Sequence, residues 1–119
     1  MDSLKNLEKK ISVDFSDFYE KEMGFKPPLV KTAIQEDLLI IRIENALSPS
    51  EIILISQETG KRLIKEMNEK LAEEILPNLQ IVLFPLTGKK AVGLEIELHE
   101  RGHEKVFLIT LESPNEVSS

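Results

Sequence analysis

A chain of 119 residues with 41% apolar and 30% charged side chains has the length and composition of one ordinary globular domain. It has no cysteine, which excludes disulfides and thiolate zinc sites, and its net charge of −6 argues against a nucleic-acid partner. The N-terminus lacks the basic start and apolar run of a signal peptide, and no apolar stretch approaches the roughly 20 residues that cross a bilayer. We therefore expect a cytoplasmic protein without direct membrane insertion. We expect one domain over 1–119, ordered at about 3–112, with a polar tail at 113–119.

The first part of the chain predicts a helix. Apolar residues recur at spacings of three and four, which is the period of one helix face: Leu4, Leu7, Ile11, Phe15 and Phe18. We place this helix at about 3–23, because Gly24 follows it and a proline pair at 27–28 prevents its continuation.

A β-hairpin is predicted next, with strands at 29–35 and 38–44. The polar pair Glu36-Asp37 separates the two apolar runs and supplies the turn. In the second strand every position from Leu38 to Ile41 is apolar, which is typical of an inner strand buried on both faces.

The clearest local signal is the start of a long helix at Pro49. Ser48 provides an N-cap hydroxyl, proline occupies the first helical position, and Glu51 completes a capping box. A helical apolar pattern continues as far as Leu79, so we expect the helical region to end between Pro85 and Gly88. Gly60 and Pro77 interrupt the pattern, and we expect kinks or short breaks there.

The last part of the chain predicts a second hairpin. Apolar and polar residues alternate strictly from Val92 to His99, which is the period of a half-buried strand. The run VFLITL is its expected partner, so the strands lie at 91–99 and 105–111 with a turn in the intervening segment HERGHEK. The fold class is therefore α+β in the order α-β-β-α-β-β. We expect a four-stranded, mainly antiparallel sheet with the helices packed on one face.

The turn segment contains His99, Glu100 and His103 in the H-E-x-x-H spacing of zinc metalloproteases. That chemistry needs both imidazoles on one helix face, one turn apart. Here the spacing follows a strand, contains Gly102 and precedes another strand, so we reject it as a metal site. No catalytic residues and no cofactor are predicted, and we expect the protein not to be an enzyme.

The residues Ile52, Ile53, Leu54 and Ile55 stand at the start of the long helix. At 100° per residue, four consecutive side chains point around nearly the whole helix, whereas one core covers about half of it. The remaining side chains need other cover. Deep burial within the chain and a homodimer interface are both consistent with this, and we predict the homodimer.

The order and spacing of several short motifs resemble the MpsC-like family of bacterial proteins over about residues 3–112. The matching features are the helix end near Gly24, Pro27, the strand pair around Glu36-Asp37, the segment Leu47-Ser48-Pro49-Ser50-Glu51, Gly60-Lys61, the segment Leu86-Thr87-Gly88-Lys89-Lys90 and the closing strand pair. The resemblance implies a soluble accessory part of a sodium-translocating, membrane-potential-generating system, and so a protein partner in that system. It implies no catalytic residue.

Two classes of function remain open at this stage. The first is a non-catalytic accessory or regulatory module that binds a protein partner or itself. The second is a small-ligand sensor or small enzyme with a pocket between sheet and helices, lined by Arg42 and Glu44. An enclosed pocket around Arg42 would favour the second class, and a guanidinium paired with a neighbouring carboxylate would favour the first.

Overall fold

The computed structural model describes residues 2–113, and it confirms an α+β fold with one four-stranded antiparallel sheet. The elements in chain order are α1 Asp2–Met23, β1 Val30–Gln35, β2 Leu38–Ile43, α2 Pro49–Ile55, α3 Glu58–Thr87, β3 Ala91–His99 and β4 Glu104–Leu111. The strands lie in the order β1-β2-β4-β3, so β1 and β3 are the edges. Except for Ser113, the predicted polar tail lies outside the described residues.

The main core lies between the sheet and the helices α1 and α3. From α1, Phe15 and Tyr19 are almost fully buried, and both rings contact Phe107 of β4. Alternate residues of β2 and β4 point into the same core, which leaves the intervening residues on the opposite face. The helices therefore cover one face of the sheet, as predicted.

The long helical region begins at Pro49 and ends at Thr87, as predicted, but its break is not where the sequence suggested. The chain leaves α2 at Ser56 and re-enters a helix after Gln57, which has an extended backbone. Gly60 lies within α3, where a β-carbon would collide with the Leu54 carbonyl. The glycine is thus required by the close approach of two helices, and it does not interrupt one.

Of the kink or short break expected at Pro77, the break is wrong, because α3 continues through this residue. A proline inside a helix costs roughly 3 kcal/mol, mainly through a lost backbone hydrogen bond and a steric clash. Ile75, Leu79 and Leu83 are buried on either side of it, each at 3% exposure or less. Burial of these side chains offsets that cost.

The strand β3 departs from strict alternation at its start. A β-bulge between Ala91 and Gly93 makes Val92 an extra residue, so Ala91 is buried and Val92 is 49% exposed. We had placed Val92 on the apolar face, and the bulge corrects this. From Leu94 onward the expected alternation holds, with Ile96 in the core and Glu95 and Glu97 exposed.

Candidate functional site

The H-E-x-x-H residues lie on a hairpin tip, as predicted. His99 is the last residue of β3, and residues Arg101–His103 form a short 3₁₀ turn before β4. Gly102 and His103 have positive φ angles, so the segment cannot continue as an α-helix. Among residues 2–113, no group of three or more histidine, aspartate and glutamate side chains is arranged to hold a metal ion.

The four apolar residues at the start of α2 differ in their cover. Ile55 is buried in a small cluster with Leu47 and Ile64, and Ile52 and Leu54 are partly buried against it. Ile53 is 62% exposed. Cover within the chain thus accounts for three of the four, and any contact with another molecule there would rest on Ile53. The homodimer contact at this turn stays a prediction.

Arg42 lies on the face of the sheet that the helices leave uncovered, and it pairs with a carboxylate. Its Nε and Nη2 atoms lie 3.0 and 2.9 Å from Oε2 of Glu104, whose side chain is only 9% exposed. The hydrogen bond and the negative charge of Glu104 raise the pKa of Arg42 above its ordinary value, so the guanidinium stays charged wherever the protein is folded. The pair lets a carboxylate be buried, and the guanidinium remains half-exposed.

Two further groups extend this network along the end of the sheet. His99 Nδ1 lies 3.5 Å from Glu104 Oε1, and its Nε2 lies 3.1 Å from Glu97 Oε1. On the other side, Lys31 donates to Glu44 at 3.1 Å. Lys31 and Arg42 therefore each have a carboxylate neighbour, and partly exposed pairs of this kind contribute little to stability.

Both predicted pocket residues line an open cleft of about 1280 Å³ at the edge strand β3. The cleft runs from Arg42 and Glu44 past the end of β3 to Lys61 and Lys65 of α3. Its walls carry both signs of charge, and the Arg42 guanidinium is already bound by Glu104. The cleft is open to solvent, so it is not the enclosed pocket around Arg42 that would have favoured the ligand-sensor class.

Lys105 follows Glu104 in β4, so its side chain points to the opposite face of the sheet, the one that the helices cover. Its side chain is 10% exposed, and its Nζ lies 3.3 Å from the Tyr19 hydroxyl and 3.6 Å from Glu51 Oε2. Glu51 also accepts the Ser48 backbone N–H, while the Ser48 hydroxyl accepts from the Glu51 N–H. The Glu51 carboxylate of the predicted capping box therefore also pairs with the buried ammonium group of Lys105.

The uncovered face of the sheet, called the open face below, has an apolar centre. Val106 is buried, Leu38, Ile40 and Leu108 are partly exposed, and none of the four belongs to either core cluster. The strand pairing places Ile40 directly beside Leu108. The apolar run at Leu38–Ile41 was correctly interpreted as an inner strand, but on its second face Leu38 and Ile40 are only partly buried and lie outside both core clusters of residues 2–113.

Sequence reasoning missed Glu104, Lys105 and the apolar centre of the open face. The run VFLITL is apolar at five of six positions, so its period does not show which residues point toward the helices. Glu104 was assigned to the turn segment and Lys105 to the first position of the predicted strand, and both are buried residues of β4. One signal in the sequence could have identified them. Glu104 and Lys105 directly precede the apolar run VFLITL, and Arg42, a candidate partner for Glu104, lies on another predicted strand.

Comparison with known proteins finds a family model and a protein that are similar to this chain. The family model described as Na⁺-translocating membrane potential-generating system (MpsC) matches residues 3–113. The uncharacterized protein YbcI of Bacillus subtilis (strain 168) is 26% identical over 106 residues, which cover 89% of this chain and 86% of that protein. No solved structure matches this chain. No helix in the described part of the chain has the length and apolar composition to span a membrane.

Proposed function

The chain belongs to the family of the Na⁺-translocating membrane potential-generating system (MpsC), and we propose that it serves such a system as a non-catalytic accessory or regulatory module. The observation that carries this proposal is the family match over residues 3–113, which covers every helix and strand except the first residue of α1. In this proposal the module acts in the cytoplasm by binding a protein of the membrane system.

The arrangement of charges supports a binding role over a catalytic one. A catalytic group needs a charged or nucleophilic atom that is free to meet a substrate. Arg42 is instead bound by Glu104, Lys105 lies against Glu51 and Tyr19, and His99 lies between Glu97 and Glu104. These groups hold strands and helices together, while the open face leaves apolar surface free for a partner.

The proposal is tested by measuring the membrane potential of host cells with and without this chain. We expect deletion to lower the part of the potential that depends on external Na⁺, and plasmid-borne wild type to restore it. Equal potentials in the deletion strain and its parent, in Na⁺ and in K⁺ medium alike, would contradict an accessory role. The mass of the complex purified from the host identifies the stoichiometry.

A second candidate function is a small-ligand sensor that uses the cleft beside β3. The observation in its favour is the cleft volume of about 1280 Å³, which exceeds what one small ligand requires. Substituting both Glu44→Gln and Lys61→Gln, two cleft residues outside the Arg42–Glu104 pair, should abolish a sensor function and leave an accessory function intact. Complementation of the deletion strain by this double variant therefore separates the two candidates.

A further inference from the structure

The edge strand β3 has backbone groups that point away from the sheet. Antiparallel strands bond through alternate residues, so one bond fixes the direction of the rest. The Glu112 N–H, just after β4, donates to the Lys90 carbonyl, just before β3, at 2.8 Å. Even-numbered residues of β4 therefore bond toward β3, and from residue 93 onward they face its odd-numbered residues. The N–H and C=O groups of Ile96 and Leu98 consequently point outward from the sheet.

Helix α3 runs beside β3 in the opposite direction and covers only part of this edge. The Gln80 amide donates to the Ala91 carbonyl at 2.7 Å, and the Asn68 amide donates to the Ile96 carbonyl at 3.4 Å. Within residues 2–113, the Ile96 N–H and the outward groups of Leu98 have no hydrogen-bond partner. This stretch of the edge lines the open cleft.

The other edge of the sheet is covered by α1. The Ile34 N–H of β1 donates to Glu8 at 2.9 Å, and the hydroxyl groups of Thr32 and Ser12 lie 2.7 Å apart. An exposed edge can accept another strand, because its backbone groups are unpaired. Of the two edges, β3 is therefore the one with room for a further strand.

The open-face wall of the cleft is acidic beside this stretch of β3. Glu95 and Glu97 are both exposed there. Glu97 lies 3.1 Å from His99, and Glu95 has no ion pair in the part of the chain that the structure describes. The other charges on this side are balanced by a neighbour of opposite sign: Arg42 by Glu104, Glu44 by Lys31, and Glu100 by Arg101 of the turn.

The opposite wall, on α3, is basic at the same level. Lys65 lies about one turn before Asn68, lines the cleft and has no ion pair among residues 2–113. Helix side chains tilt toward the N-terminus, which here is the direction of Leu98. Lys61 lies a further turn away, toward the β3–β4 turn, and Glu69 follows Asn68. A strand added at this edge would thus lie between an acidic wall and a basic one.

A second copy of β3 does not fit this edge. If two copies paired in antiparallel fashion about Ile96, Glu95 of each would lie directly opposite Glu97 of the partner subunit. Like charges that face each other across two strands are destabilising. The charges of β3 therefore favour a different chain, one with basic residues at these positions.

We propose that the outer edge of β3 binds an extended segment of a partner protein as a fifth, antiparallel strand, with the residue order acidic, basic, aliphatic, basic. The acidic residue lies opposite Leu98 and near Lys65. The two basic residues lie beside Glu97 and Glu95, and the aliphatic residue lies opposite Ile96, on the side of α3. The inference rests on the proposed function only in taking the partner to be a protein.

The pairing is tested with the peptide acetyl-TEKVKVT-amide, which carries this order of residues. It is titrated into the isotope-labelled full chain, and the backbone amides are followed by NMR. We expect saturable shifts and slower hydrogen exchange at Ile96 and Leu98. The charge-reversed peptide acetyl-TKEVEVT-amide should bind about tenfold more weakly or less. A version of the first peptide that is N-methylated at its glutamate keeps every charge but loses the donor to Leu98, and we expect it not to saturate.

Substitutions in the protein locate the contacts. Glu95→Lys with Glu97→Lys should weaken binding of the first peptide about tenfold. The matched control is Glu73→Lys with Glu74→Lys, which changes the net charge equally at exposed positions of α3 outside the cleft, and it should leave most of the affinity. Adding Lys65→Glu to the first pair of substitutions reverses both walls. This triple variant should prefer the charge-reversed peptide.

Several results would overturn this assignment: no effect on the Ile96 and Leu98 amides at millimolar peptide, equal affinity for the two peptides, or full affinity after N-methylation. Equal weakening by the control pair of substitutions would do the same, because it would show attraction to net charge alone. The titration uses the purified chain, so its failure leaves the membrane-potential experiment unaffected. An unchanged membrane potential would contradict the accessory role and leave the peptide result standing.

Discussion

The two faces of the sheet carry similar aliphatic residues in different surroundings. In β2, Leu39 and Ile41 are fully buried under the helices, whereas their neighbours Leu38 and Ile40 are partly exposed on the open face. The same contrast holds in β4 between Phe107 and Leu108. Because adjacent strand residues point to opposite faces, hydrophobicity alone does not determine burial. The side on which α1 and α3 pack determines it.

The largest expected effect comes from the covered face. Phe107 is fully buried and its ring centroid lies 5.0 Å from that of Phe15. We expect Phe107→Ala to lower the free energy of unfolding by about 3–5 kcal/mol, because it leaves a cavity among rings that cannot close around it. Leu108→Ala, on the neighbouring residue, should cost less than about 1.5 kcal/mol. Urea unfolding measures both, and equal losses would refute the assignment of the two faces.

The paired charges of the two faces sharpen the same comparison. On the covered face, Glu51→Ala removes half of a capping box and leaves the Lys105 ammonium group facing only the Tyr19 hydroxyl. We expect a loss of about 1–3 kcal/mol. On the open face, Glu104→Gln should cost below about 1 kcal/mol, since the half-exposed Arg42 can be hydrated by water. Thermal and urea unfolding of both variants would show the reverse order if the faces were misassigned.

A smaller effect is expected at the edge of the sheet. The Ile34 backbone N–H on edge strand β1 donates to Glu8 Oε2 of α1 at 2.9 Å. Glu8→Ala should cost roughly 0.5–1.5 kcal/mol and speed hydrogen exchange of the Ile34 amide, because the donor then faces water. Glu8→Gln keeps an acceptor in place and serves as the control. Unchanged exchange in the alanine variant would show that the carboxylate does not protect this edge.

The smallest effect is expected at the β3–β4 turn. His99 and His103 are both exposed, so replacing both with alanine should change the free energy of unfolding by no more than about 0.5 kcal/mol. EDTA should leave the melting temperature of wild type unchanged, since we predict no metal here. A marked loss of stability on chelation would restore the metal hypothesis that the hairpin context led us to reject.

Much of the fold could be predicted because its signals are local. The capping box at Ser48 and Glu51, the prolines after α1 and the alternation from Leu94 to His99 each depend on residues close in sequence. The candidate site was harder to predict from the sequence. Arg42 was identified as a residue to examine, but its partner Glu104 is 62 residues away, and no local pattern reports such a pairing.

The sequence by itself determined the class of fold, the order of the elements and the start and end of the long helical region. Their causes are the helical and strand periods, the caps and the prolines, which act within a few residues. Only the tertiary structure decided that Gly60 serves a contact between two helices, that Pro77 is tolerated, and that one face of the sheet is left open. These outcomes depend on which distant side chains pack together, because burial energy is gained between elements and not within them.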